Sequence, residues 1–161
     1  MHIKNILNDM EKDNIQAYLL TQFTNVEYIS NYKPTSFAFC VIKENPIIYA
    51  SQMDMEIANR DSSIEVKQYE KFETMIEELK KEGIRNLAIE PSLVYSNYEK
   101  FKDDFKIESK NYVDKQRMIK TSGEIKKIEI KLEELNLDQR LKNKLQNLLK
   151  QYEDSVNIFS P

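Results

Sequence analysis

The chain has 161 residues, with 24 Lys and Arg against 27 Asp and Glu, one His, one Cys and two Gly. That length suits one domain, or one domain with an appendage, and 40% hydrophobic residues supply a core. A net charge of −3 offers no global attraction to nucleic acid, lone Cys40 and His2 exclude a disulfide framework and any site needing two imidazoles or two thiolates, and Gly83 and Gly123 are too far apart for a phosphate-cradling loop.

The N-terminal segment lacks the apolar region and small-residue cleavage site of a secretory signal. No stretch approaches the ~18–20 apolar residues of a membrane span. A cytoplasmic protein with a reduced Cys40 is therefore expected.

Ile3, Ile6, Leu7 and Met10 recur at i, i+3, i+4 and i+7 and predict an amphipathic helix over 3–12. Residues 15–21 (IQAYLLT) read as a buried strand. Thr24 is the expected N-cap of a short helix running through Ile29, with Glu27 completing a Thr-x-x-Glu capping box. Residues 36–42 (SFAFCVI) and 46–50 (PIIYA) flank Lys43-Glu44-Asn45 and predict a hairpin, with Pro46 at a strand start where no ladder N–H is required. Residues 53–60 have helical character, and 64–67 (IEVK) alternate as a half-exposed strand.

Phe72, Met75, Ile76 and Leu79 mark another amphipathic helix, with Gly83 just past its end. Residues 86–90 (NLAIE) form the next strand, Pro91-Ser92 a turn, 93–101 a helix and 105–107 a sixth short strand. Alternating strands and helices indicate an α/β layered domain, and the hairpin makes its sheet mixed.

After Lys120 the character changes. Residues 124–155 contain no Gly or Pro and read as helix in two pieces. Ile128, Leu132 and Leu135 form one stripe; Leu141, Leu145, Leu148 and Tyr152 form another. Asn136-Leu137-Asp138 interrupts them, with Asp138 placed to cap the second helix. The expected organisation is an α/β domain over 1–122 and a helical extension over 123–161.

Reactive groups are scarce. Cys40 sits in an apolar run and reads as an inert core thiol. His2 lies in a terminus expected to fray, and no GxSxG elbow exists. The carboxylates Asp9, Glu11, Asp13, Asp54, Glu56, Asp61, Glu65, Glu77 and Glu78 are interleaved with Lys and read mostly as solvated helix faces. No EF-hand spacing occurs. Lys115, Arg117, Lys120, Lys126 and Lys127 form a basic run interrupted by Glu124, so no nucleic-acid partner is expected. Seven basic and seven acidic side chains over 124–155 likewise argue against a membrane-surface helix.

Two segments carry a resemblance. Residues 15–32 read IQAYLLTQFTNVEYISNY, a strand followed by Thr-Asn-Val-x-Tyr-Ile. Residues 116–124 read QRMIKTSGE, with Arg117, Lys120, Thr121 and Glu124 followed by Ile125. With the hairpin, helices and NLAIEPS between them, they resemble the N-terminal domain of the creatinase/prolidase family, the Xaa-Pro dipeptidases and aminopeptidase P. The resemblance covers about residues 1–130. The R-x-x-K-[ST]-x-x-E-[IL] junction resembles the family's passage into its catalytic domain. Asn31 stands where the family usually has Gly; Asn is the next best residue for left-handed backbone.

The resemblance implies a mixed sheet of about six strands flanked by helices, followed here by the helical segment. It also implies that catalysis belongs to a C-terminal pita-bread domain. There, two divalent metals such as Mn or Co are held by two Asp, one His and two Glu. The sequence stops about where that domain would begin and has no His after His2. No ligand of that site carries over, and no catalytic residue, metal or other cofactor is expected in this chain. The domain's family role is dimerisation and roofing of an active site, so the expected partner is a second copy or a separate catalytic subunit. Tyr32 and Phe37, in the loop after the first short helix, are the candidate substrate-adjacent residues. The alternative is a stand-alone protein that self-associates through its C-terminal helices.

Overall fold

The apolar runs of the first part of the chain become six short strands of one sheet. In the computed structural model, which describes residues 2–120, 122–135 and 138–159, the order is α1 (His2–Lys12), β1 (Ala17–Leu20), α2 (Phe23–Ser30), β2 (Ala38–Ile42) and β3 (Ile47–Ala50). A 3-10 turn (Gln52–Asp54) then leads into α3 (Met55–Asp61), β4 (Glu65–Gln68), α4 (Phe72–Lys81), β5 (Asn86–Ile89), α5 (Tyr95–Phe101), β6 (Lys106–Ser109) and α6 (Tyr112–Met118). The helix α6 was not anticipated. Its seven residues (YVDKQRM) offer only Tyr112, Val113 and Met118 as apolar positions, too few to show a helical period.

The strands lie in the order β4-β3-β2-β1-β5-β6. The pairs β1–β2 and β2–β3 are antiparallel, with Tyr18 opposite Ile42 and Cys40 opposite Ile48. The outer pairs β3–β4, β1–β5 and β5–β6 are parallel. This is the expected mixed six-stranded α/β sheet.

Side chains alternate across the sheet and build two cores. Tyr18, Leu20, Ala38, Cys40, Ile42, Ile48, Ala50 and Ala88 face the first, which is closed by Ile6 and Met10 of α1, Val26 and Ile29 of α2, Ala58 of α3, and Tyr112 and Val113. Leu19, Phe39, Val41, Ile47, Tyr49, Leu87 and Ile89 face the second, closed by Phe72, Met75, Ile76 and Leu79 of α4, together with Phe101 and Phe105. The inner strands β1, β2 and β3 are buried along their whole length, whereas the edge strands β4 and β6 are half-exposed. Apolar burial on both faces supplies the main stabilisation, at roughly 1.5–3 kcal/mol for each large aliphatic or aromatic side chain.

Three helices end on residues in left-handed backbone. Asn14 (φ 57°) follows α1, where the Ile15 N–H reaches the Met10 carbonyl at 2.8 Å and the Asn14 N–H the Glu11 carbonyl at 3.0 Å. Gly83 (φ 80°) follows α4 with the same pair of bonds, from Ile84 to Leu79 and from Gly83 to Lys80. Both are Schellman closures. Asn31 (φ 64°) ends α2 with its N–H on the Glu27 carbonyl at 2.8 Å.

Residues up to Asp114 form one compact unit and those from Lys115 a second. The second holds α7 (Ser122–Glu134) and α8 (Gln139–Phe159), packed on each other. Asp138 Oδ1 accepts the Leu141 N–H at 3.1 Å and caps α8 as expected. The rest of the expected interruption, Asn136 and Leu137, lies outside the described residues. Among the described residues, no helix is long and apolar enough to cross a membrane.

A prediction follows from Asn31. Asn31→Gly leaves stability unchanged or slightly raised, whereas Asn31→Val costs about 1–2 kcal/mol, because a β-branched side chain resists positive φ. Urea unfolding of the two variants measures the difference, and equal stabilities would refute the backbone requirement.

Candidate functional site

The loop joining α2 to β2 carries both sequence-predicted site residues. It is organised by Asp54, which the sequence placed among solvated carboxylates and the structure buries. Asp54 ends the 3-10 turn that follows β3, and its Oδ2 accepts the Tyr32 hydroxyl at 2.5 Å, the Thr35 N–H at 2.8 Å and the Ser36 N–H at 3.2 Å. Its Oδ1 accepts the Thr35 hydroxyl. The side chain turns inward because these four donors, left by an irregular loop, need a charged acceptor. Burial pushes the Asp54 carboxyl up, but the Thr35 and Tyr32 hydroxyls and the Thr35 and Ser36 amides outweigh it and bring it down to about 2. Tyr32 is raised by burial and by Asp54, so it remains a proton donor. The loop is fixed at its ends as well: Ser30 Oγ accepts the Tyr32 N–H at 3.1 Å, and the Ser51 N–H donates to the Phe37 carbonyl at 3.2 Å.

Tyr32 and Phe37 are not brought together. Tyr32 is fully buried in the first core. Phe37 is half-buried on the other side of the sheet, where it meets Tyr69 edge-on at 4.6 Å and Phe39 at 5.4 Å. The loop thus crosses the end of the sheet, with one aromatic anchor in each layer.

A second buried carboxylate was not singled out from the sequence. Glu90, immediately after β5, is 1% exposed. Its Oε2 accepts the Thr21 N–H at 2.6 Å, the Gln22 N–H at 2.8 Å and the Thr21 hydroxyl at 3.2 Å, while its Oε1 accepts from Asn25 Nδ2 at 2.6 Å. The expected capping box at Thr24 and Glu27 is therefore corrected. Thr24 lies inside α2, the N-cap is Gln22, and its side chain makes no capping bond. A carboxylate from a neighbouring strand takes donors at the start of the helix instead, where an anion also complements the helix dipole. The same Asn25 amide reaches Asp114 Oδ1 at 3.2 Å. The signal for Glu90 was one acidic residue ending the apolar run NLAIE before Pro91.

The other candidates for reactivity are placed plainly. Cys40 is fully buried and its thiol is pushed up by burial and by the Glu90 charge, so it stays protonated. His2 is the first residue of α1, its ring 4.8 Å from that of Tyr28 and its Nδ1 2.8 Å from the Tyr28 hydroxyl. Among the described residues, no three His, Cys, Asp or Glu side chains converge to hold a metal ion.

The fold of the first unit recurs in known proteins. A family model described as the creatinase/prolidase N-terminal domain matches residues 2–120. The chain belongs to this family. An Xaa-Pro dipeptidase of Pyrococcus horikoshii is 34% identical over 132 residues, a match covering 79% of this chain and 37% of that relative. The crystal structure of the prolidase from that organism superposes with a TM-score of 0.72 at 33% identity, covering 82% of this chain and 39% of that one. The Pyrococcus furiosus prolidase gives 0.70 at 28%, covering 81% and 42%. The chain thus spans about two fifths of the length of these relatives, and the creatinase/prolidase likeness is to an N-terminal domain.

Two substitutions test the buried carboxylates. Asp54 is held below its ordinary 3.8, so the stability it supplies is complete above about pH 4 and is lost as pH falls toward 2. Asp54→Asn is expected to cost about 2 kcal/mol at pH 7 and progressively less toward pH 2, measured by urea unfolding across that range; a penalty independent of pH would refute the clamp. Glu90→Gln turns an amide N–H₂ toward backbone donors and costs about 1–3 kcal/mol. Loss of protection at the Thr21 and Gln22 amides in hydrogen exchange reads this directly.

Proposed function

We propose that this chain is a non-catalytic creatinase/prolidase-type N-terminal domain that serves an Xaa-Pro peptidase catalytic domain by dimerisation or by substrate gating. The observation that carries this reading is the family match over residues 2–120. The likeness to Xaa-Pro dipeptidases over 37% of the length of one of them supports it. In this reading the chain works in the cytoplasm, and the partner is a second copy or a separate catalytic subunit. The loop over 32–37 faces the catalytic cleft. Phe37, half-buried at its end, is the side chain that meets substrate, while Tyr32 positions the loop through Asp54.

The two-metal centre of such peptidases does not fit the residues of this chain. The sole histidine, His2, is bonded to Tyr28, and the buried carboxylates Asp54 and Glu90 are occupied by loop and helix donors. The purified chain, given Mn²⁺ or Co²⁺ and an Xaa-Pro dipeptide, is expected to release no proline above a metal-only control. Sustained turnover by the pure chain would refute the non-catalytic reading.

A second reading, a self-associating interaction protein, is favoured by one observation: Leu135, Leu141 and Leu148 of the helical unit remain about half exposed.

A further inference from the structure

The two edges of the sheet are not equally open. β6 lies outermost beside β5, and its even-numbered residues are turned inward. The Lys106 N–H donates to the Arg85 carbonyl at 2.8 Å and the Lys110 N–H to the Ile89 carbonyl at 2.9 Å. Strand alternation then points the backbone groups of Phe105, Ile107 and Ser109 away from the sheet. The Phe105 N–H is taken by the Phe101 carbonyl at 3.2 Å. That leaves the Phe105 carbonyl and both groups of Ile107 and Ser109 along this edge. At the opposite edge the Tyr69 N–H donates to the Ala50 carbonyl at 2.8 Å, so Ile64, Val66 and Gln68 face outward. There the Ser62 hydroxyl accepts the Ile64 N–H at 3.1 Å and donates to the Ile64 carbonyl at 2.8 Å. The start of β4 is thereby blunted, whereas β6 keeps its outer groups for another strand.

The side chains of β6 indicate which strand fits. Lys106 and Glu108 are two residues apart and share one face of the strand, the face on which Ala88, beside Glu108, meets the first core. Ile107, beside Leu87, packs against the second core. Among the described residues Lys106 makes no ion pair. An antiparallel strand from a second copy must set outward residues opposite outward residues. Centred on Ile107 opposite Ile107, it places Lys106 opposite Glu108 on both sides of a two-fold axis. These are non-hydrogen-bonded pairs, with Cα atoms about 4.5 Å apart and side chains at their closest. The Ile107 N–H and carbonyl bond across the axis, and each Ser109 N–H meets the Phe105 carbonyl of the other copy. A slip of two residues either way sets Lys106 opposite Lys106 or Glu108 opposite Glu108. A larger slip runs off the strand, because α6 begins at Tyr112. A parallel copy related by a two-fold axis stacks the same like charges. The charges thus select an antiparallel second copy in one register.

We propose that β6 is a self-association edge, on which β6 of a second copy lies antiparallel about Ile107 and joins the two six-stranded sheets into one. The proposal rests on the dimerisation arm of the proposed function and gives that arm its surface.

Sedimentation equilibrium of the full-length chain and its variants tests both. β6 is four residues long and buries less than the roughly 1,200 Å² of a standard interface, so the wild-type chain is expected to dimerise at micromolar concentrations and above. The Ile107 and Ser109 amides are expected to gain protection from hydrogen exchange as concentration rises, and the Val66 amide of β4 to gain none. Ser109→Pro removes an outward N–H that the fold does not use. It is expected to raise the dimer dissociation constant at least about tenfold, since two bonds are lost by symmetry. Lys106→Glu is expected to weaken the dimer by a similar factor of about ten, by facing Glu108 across the axis. Adding Glu108→Lys in the same chain is expected to restore it, because this register regains both opposite pairs. Far-ultraviolet circular dichroism shows that each variant is folded. A wild-type monomer at all concentrations overturns the proposal and the dimerisation arm together, and leaves substrate gating. A dimer that Ser109→Pro and Lys106→Glu leave unchanged keeps dimerisation and overturns this edge. A dimer that Lys106→Glu weakens and Glu108→Lys fails to restore overturns the antiparallel register.

Discussion

A carboxylate at the end of one strand holds the start of a helix that follows another. Glu90 can do this only because β1 and β5 are parallel neighbours in register, with Leu19 beside Ile89, so that the chain leaving β1 at Thr21 passes the residue leaving β5. A buried charge is expensive unless fully hydrogen-bonded, and Glu90 is, by two backbone amides, a hydroxyl and a side-chain amide. Strand order, the entry angle of α2 and the inward turn of Asn25 are thereby coupled. Asn25 extends the coupling to Asp114, so that α2 is bonded both to the end of β5 and to the residue that closes the first unit.

Asp54 solves the same physical problem at the other end of α2. The helix finishes on left-handed Asn31, and the loop that follows must cross the sheet to begin β2 while its amides lack a regular ladder. One carboxylate from the turn after β3 takes four donors and gives that loop a defined shape. The titratable groups singled out by burial are thus engaged in holding loops and helix ends. Such a unit presents shaped loops above a rigid sheet, consistent with the proposed supporting role in a family whose named relatives are more than twice as long.

The elements were legible because their signals are local. Short apolar runs gave β1, β2, β3, β5 and β6, alternation over 64–67 gave β4, and the spacing of Phe72, Met75, Ile76 and Leu79 gave α4 with Gly83 behind it. Asn31 was readable as a left-handed position only through the resemblance, since it stands where the family usually has Gly and Asn tolerates that backbone. The candidate site was legible as a segment and not as an arrangement. Tyr32 and Phe37 stand close in sequence, yet the loop carries them to opposite faces of the sheet. Asp54 looked like other charged residues beside Lys and Arg, since nothing local says that a loop some twenty residues earlier will present it with four donors. The Thr24 capping box failed for the same reason: the spacing was right, but a distant carboxylate captured the helix start.

By itself, then, the amino-acid order determined the α/β class, the elements apart from α6 and their rough bounds, the helix stop at Gly83, the change of character after Lys120 and the resemblance to creatinase/prolidase N-terminal domains. Each depends on periodicity, backbone preference or short motifs. Tertiary structure alone decided which strands are neighbours, which two carboxylates are buried, that His2 lies against Tyr28, and which aliphatic side chains of the C-terminal helices stay exposed. Those outcomes depend on groups far apart in the chain meeting at hydrogen-bond or van der Waals distance, and no local pattern encodes such meetings.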